Sequence, residues 1–171
     1  MHPDWASVGG KDGKYNFFVA ATNRPLNRYT PSKEVFHCPA DHGDNLLSID
    51  SCYETYGNSY LLQWAYAFSA QYNVSPGYCY TFRARCVTSD DGRSMKLGQI
   101  AISPVNKLIQ GDWIWHPNRG TTDPRSVWHN QRGKSLAVML YGDSHVAAFK
   151  FPDDTINWGA SPIPDPAFTW W

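Results

Sequence analysis

The residues best suited to chemistry stand in the last third of the chain. There His129 is followed, after a glycine-bearing bend and the apolar run 136–141, by Gly142, Asp143, Ser144 and His145. Imidazole nitrogens and a carboxylate oxygen are common ligands of zinc and related ions. Asp143 and His145 stand at i and i+2, so on a strand they project to one side. Asp41 or His42, far upstream, completes a candidate set of His129, Asp143, His145 and Asp41 for a divalent metal, calcium or zinc. The alternative is that Asp143 caps its own turn by accepting from backbone amides while both histidines bond carbonyls. A second set, Asp41, Asp44, Asn45 and Asp50, offers the hard oxygens that suit calcium, without EF-hand spacing. Solvated turns use the same residue types.

Other reactive arrangements are weaker. No G-x-S-x-G elbow occurs, and Ser144 between Asp143 and His145 is a triad in letters only, because strand neighbours cannot converge on one oxygen. With Glu34 and Glu54 the only glutamates, no glycosidase acid is singled out. Metal-assisted hydrolysis or oxidation at His129, Asp143 and His145 is the sharpest enzymatic reading. The chain also carries 8 Trp. If Trp113, Trp115 and Trp128 are exposed, their planar faces make stacking platforms for a polysaccharide or another surface. Otherwise the tryptophans pin irregular chain to the core.

Four cysteines, Cys38, Cys52, Cys79 and Cys86, allow three disulfide connectivities. Spacing favours local pairs. Joining Cys38 to Cys52 closes a loop of roughly fifteen residues, worth about 3 kcal/mol in the chain-entropy model. A Cys79–Cys86 bond needs a bend, since period 2 sets those residues on opposite strand faces. Four buried thiols are the other reading.

These groups need a scaffold, and the composition bounds it. The 171 residues suffice for one core and are few for two, so 1–171 reads as one domain, with 1–34 and 152–171 irregular and packed on it. Charged residues are 18% and aromatics 15%, which excludes disorder and coiled coil. Fifteen basic residues balance fifteen acidic ones, removing the long-range attraction that nucleic acid or an anionic membrane requires. No run of 18 apolar residues or export segment is present, so the chain as given makes no membrane contact.

Along the chain, 25–29 reads as a short helix start or turn, 35–38 as a strand stopped by Pro39, and 40–50 as a loop. Tyr60, Trp64, Ala67 and Phe68 form a helical stripe, although 56–62 also passes for a strand. Strands are expected at 78–87, 96–102, 107–115, 135–141 and 146–151. A polar loop fills 116–132, and Gly142 or Asp143 supplies the positive φ of the last hairpin turn. The sum is an α+β domain, mainly antiparallel sheet, with long loops and at most one or two helices.

Taken in order, Phe36-His37-Cys38-Pro39-Ala40-Asp41, Tyr56-Gly57-Asn58-Ser59-Tyr60, Ile100 to Pro104 with Asp112, and His129 to Val146 resemble bacterial prepilin-like proteins. These are pseudopilin relatives of planctomycete and verrucomicrobial type with a C-terminal H-X9-DG motif. The likeness spans about residues 24–151. The chain departs from the pattern in placing thirteen residues between His129 and Asp143, in having Ser144 where the family has Gly, and in lacking the N-terminal apolar helix. The resemblance implies a pseudopilin-like globular head, extracytoplasmic, acting without catalysis in a type II secretion or type IV pilus-like filament. Its partners would be copies of itself or related subunits.

Overall fold

The computed structural model describes residues 9–14, 20–45, 48–62, 104–106, 108–112, 125, 128–132 and 134–150. Five strands, β1 (Tyr60–Leu62), β2 (Leu108–Asp112), β3 (His129–Gln131), β4 (Lys134–Tyr141) and β5 (Val146–Phe149), form one antiparallel sheet. Its order is β1-β2-β4-β3, with β5 also paired to β4. Among the described residues the only α-helix is α1 (Cys52–Tyr56), so the α+β class with few helices holds. No helix of the described residues is long and apolar enough to cross a membrane.

β4 organises the sheet because its side chains alternate. Ala137, Met139 and Tyr141 are buried, as period 2 requires of a strand with one face on a core. They join Cys38, Ile49, Cys52, Tyr56, Leu61, Leu108 and Trp128 in a single apolar cluster. β2 meets the far end of β4, with Leu108 opposite Tyr141 and Gly111 opposite Met139, and bulges between Leu108 and Gln110. β3 meets the near end, with His129 opposite Leu136. Asp112 closes β2 where β3 begins, and the Val138 N–H donates to its Oδ2 at 2.7 Å.

The helix start is unusually well satisfied. Ser51 is the N-cap and its hydroxyl accepts from the Glu54 N–H at 3.1 Å. The first two helix amides, of Cys52 and Tyr53, donate to the Asp41 carboxylate at 3.0 and 2.7 Å. A five-residue helix has little stability of its own, so these side chains hold it. It stops at Gly57, where φ is 80° and a Cβ would lie 1.9 Å from the Lys11 carbonyl oxygen.

Several expectations are corrected. Residues 33–36 form a 3-10 turn rather than the start of a strand, capped by the Ser32 side chain accepting from Glu34 N. β3 lies inside the stretch expected as loop, turning back onto β4 beyond Arg132, whose φ is 54°. In the β4–β5 turn the positive φ falls on Ser144, at 75°, not on Gly142 or Asp143. Of the two readings open for 56–62, the strand holds for Tyr60–Leu62, while Tyr56 ends α1. Within the expected strands 107–115, 135–141 and 146–151, the described residues form β2, β4 and β5, with 113–115 and 151 outside them, and 25–28 is a 3-10 turn. Where described, the N-terminal segment carries 3-10 turns at Ala21–Asn23 and Pro25–Arg28. Arg24 is 2% exposed and donates to the carbonyls of Gly9 and Tyr56 at 2.8 and 2.9 Å. Expectations at 78–87, 96–102, 152–171 and Trp64 to Phe68 lie outside the described residues.

Candidate functional site

Three separated segments meet at the junction of β2 and β3. Cys38, in the loop after the 3-10 turn, points its Sγ to 3.5 Å from His129 Nε2. The same nitrogen lies 3.5 Å from Asp112 Oδ2. The ligand-type atoms of Cys38, Asp112 and His129 all lie within 4.8 Å of one another, a group that could hold a metal ion. Cys38 is 4% and Asp112 0% exposed, while the His129 side chain is 32% exposed and forms the outer side of the group.

The environment of the sulfur is polar on one side. The Ala40 N–H and the Tyr60 hydroxyl act to lower the value of the thiol. Burial pushes the Cys38 thiol above its ordinary value, and the Asp112 and Asp41 carboxylates act in the same direction. Tyr60 is pushed up to about 12, by burial first and then by Cys38 and Asp112. Asp112 raises His129 through its hydrogen bond, against the effect of burial. Asp112 Oδ1 is buried and lacks a hydrogen-bond partner among the described residues.

The loop that presents Cys38 is strapped down from several directions. Ser59 donates its N–H to the Phe36 carbonyl at 2.9 Å and its hydroxyl to Asp41 Oδ2 at 2.8 Å. Gly43 N–H also donates to Asp41 at 2.9 Å. The His37 ring stacks on Tyr53 with centroids 4.3 Å apart. From the other side, the Trp128 indole N–H reaches the Gly43 carbonyl at 3.0 Å, which seats β3 against the loop just before His129.

Of the expected ligand set, His129 alone belongs to this group. Asp41 is corrected from metal ligand to helix cap: its two oxygens are taken by the amides of Gly43, Cys52 and Tyr53 and the hydroxyl of Ser59, because helix N-terminal N–H groups need an acceptor. Asp143 and His145 sit past the opposite end of β4. His129 faces Leu136, so about five strand residues, roughly 17 Å, intervene before the turn. There Asp143 Oδ1 accepts from the His145 N–H at 3.1 Å and lies 2.6 Å from its Nδ1, and the His145 ring stacks on Tyr141. The turn-capping alternative therefore describes Asp143, with a ring nitrogen in place of the carbonyl contact expected for His145.

The calcium set does not assemble either. Asp41 is spent, Asp44 is buried and exchanges backbone bonds with Ile49, and Asp50 is exposed beside Arg125 at 3.6 Å. Cys38 and Cys52 are thiols, not a disulfide; Cys79 and Cys86 lie outside the described residues. Trp128 is 5% exposed with its N–H used internally, so it is no stacking platform. Trp113 and Trp115 lie outside the described residues. The members missed as ligands were Cys38 and Asp112. The available signal was a lone carboxylate, Asp112, inside the stretch 107–115 that reads as a strand.

Cys, His and Asp invite comparison with a thiol protease relay, but the geometry differs. A relay uses one imidazole nitrogen toward the nucleophile and the other toward the carboxylate. Here sulfur and carboxylate converge on Nε2 alone. Comparison of the chain with protein-family models, curated proteins and solved structures found no match.

Proposed function

We propose that this chain is the extracytoplasmic head of a pseudopilin-like subunit that acts by packing beside copies of itself or related subunits in a type II secretion or type IV pilus-like filament. One observation carries the reading: the segments that bear the resemblance close on each other. Cys38 meets His129, Asp41 binds Ser59 and caps α1, and Asp112 binds Val138 on β4. Residues of these segments thus fasten distant parts of one head together. Asp41 and Trp128, whose polar atoms are consumed by internal partners, have little left for a substrate.

The test is the N-terminus of the native protein in its source cells. Envelope fractionation followed by N-terminal sequencing is expected to find the chain outside the cytoplasm, with a processed apolar helix ahead of residue 1. A native chain that begins at Met1 and stays in the cytosol overturns the proposal.

A further inference from the structure

The geometry points to a zinc site formed by Cys38 Sγ, His129 Nε2 and Asp112, in which the ion clasps the Cys38 loop to the junction of β2 and β3. The two distances to His129 Nε2 are those of ligands around a single ion. Tetrahedral zinc with Zn–S of about 2.3 Å and Zn–N and Zn–O of about 2.0–2.1 Å sets S···N at about 3.5–3.6 Å and N···O at about 3.3–3.4 Å. The structure has 3.5 Å for both. Convergence of sulfur and carboxylate on the same imidazole nitrogen is a poor hydrogen-bond arrangement, because one N–H cannot serve both well. Around a cation it is the expected one.

Two further features match a metal ligand set. The buried Asp112 carboxylate keeps Oδ1 without a partner among the described residues, which is costly unless a cation neutralises it. The Cys38 loop is held in place by Ser59 and Gly43 donating to Asp41 and by the Trp128 indole on the Gly43 carbonyl, the outer contacts that orient a metal ligand. Charge also balances: on binding, the Cys38 S–H bond breaks, its proton leaves to solvent, and a Zn–S bond forms. Thiolate and carboxylate then offset the two positive charges, with His129 neutral and water in the fourth position. A thiolate in the set favours zinc over calcium or magnesium. The site does not rest on the filament reading, since a free-standing protein would use the same clasp.

Cobalt(II) is the probe. The reduced, chelator-treated full chain is titrated with it and then with zinc. One equivalent is expected, giving a near-ultraviolet thiolate-to-cobalt charge-transfer band and the strong visible bands of four-coordinate cobalt, both abolished by zinc. Cys38→Ser should lose the charge-transfer band, and His129→Asn and Asp112→Asn should each weaken binding at least tenfold. Because these variants can fail to fold, alkylation of the wild-type chain is mapped by mass spectrometry with and without zinc. Zinc should slow labelling of Cys38 more than tenfold. No charge-transfer band in the wild type, the same band in Cys38→Ser, or Cys38 labelling indifferent to zinc overturns the site.

Discussion

Asp41 is the residue on which the local architecture leans most, and Asp41→Ala is the sharpest perturbation of it. The substitution removes the acceptor for the N–H groups of Gly43, Cys52 and Tyr53 and for the Ser59 hydroxyl. Cys52, Tyr53 and Ser59 are 0%, 2% and 0% exposed, so water does not readily replace the carboxylate. A buried donor left without a partner costs about 1–3 kcal/mol, and loss of a negative charge at a helix start costs about 0.3–1 kcal/mol more. Relaxation of the loop recovers part of this, leaving about 3–5 kcal/mol, a large share of a stability that for domains is about 5–15 kcal/mol. Asp41→Asn keeps one oxygen and should lose roughly half as much. Urea unfolding followed by tryptophan fluorescence measures it, the midpoint falling while the slope is retained. A loss below about 1 kcal/mol for Asp41→Ala would refute the assignment of Asp41 as the internal clamp.

Gly57→Ala places a Cβ 1.9 Å from the Lys11 carbonyl at a residue with φ of 80° and should destabilise by more than about 2 kcal/mol, beyond the usual strain of a non-glycine residue there; equal urea midpoints contradict this. Trp128→Phe removes the indole donor to the Gly43 and Arg125 carbonyls and should cost about 1–2 kcal/mol, leaving any polysaccharide response unaltered; a lost response with stability intact points to a binding face instead. At the β4–β5 turn, the His145 N–H and then its ring hold the Asp143 carboxyl below its ordinary value. A depressed folded value stabilises above the unfolded pKa and is lost as pH falls through the folded one, so the turn should loosen only in acid. In an NMR titration His145→Ala should raise the Asp143 value partway, since the backbone bond persists; no movement would show that the ring contributes nothing.

The strands that were legible share a cause. β4 and β5 run apolar and their burial alternates along the strand, whereas in β2 Ile109 is half-buried and the charged Asp112 is buried. Residues 35–38 misled because Val-Phe-His-Cys before Pro39 has strand composition, while the deciding signal was Ser32, whose side chain caps a tight turn. β3 escaped because His129-Asn130-Gln131 is short and polar and exists only by pairing with β4. The site was half legible. His129 stood out by type, but its partners are 91 residues upstream and on another strand, and no local spacing encodes a meeting produced by topology. Asp143 and His145 drew attention by proximity in sequence, which in a hairpin turn serves the turn itself.

That this chain works by being packed beside copies or relatives is tested most directly on intact source cells. A short amine-reactive crosslinker is applied, and the chain is detected with an antibody raised against the purified head. Assembly predicts a ladder of multimers in the envelope fraction that disappears when cells are dissolved in detergent before crosslinking. A single monomeric band under both conditions contradicts it.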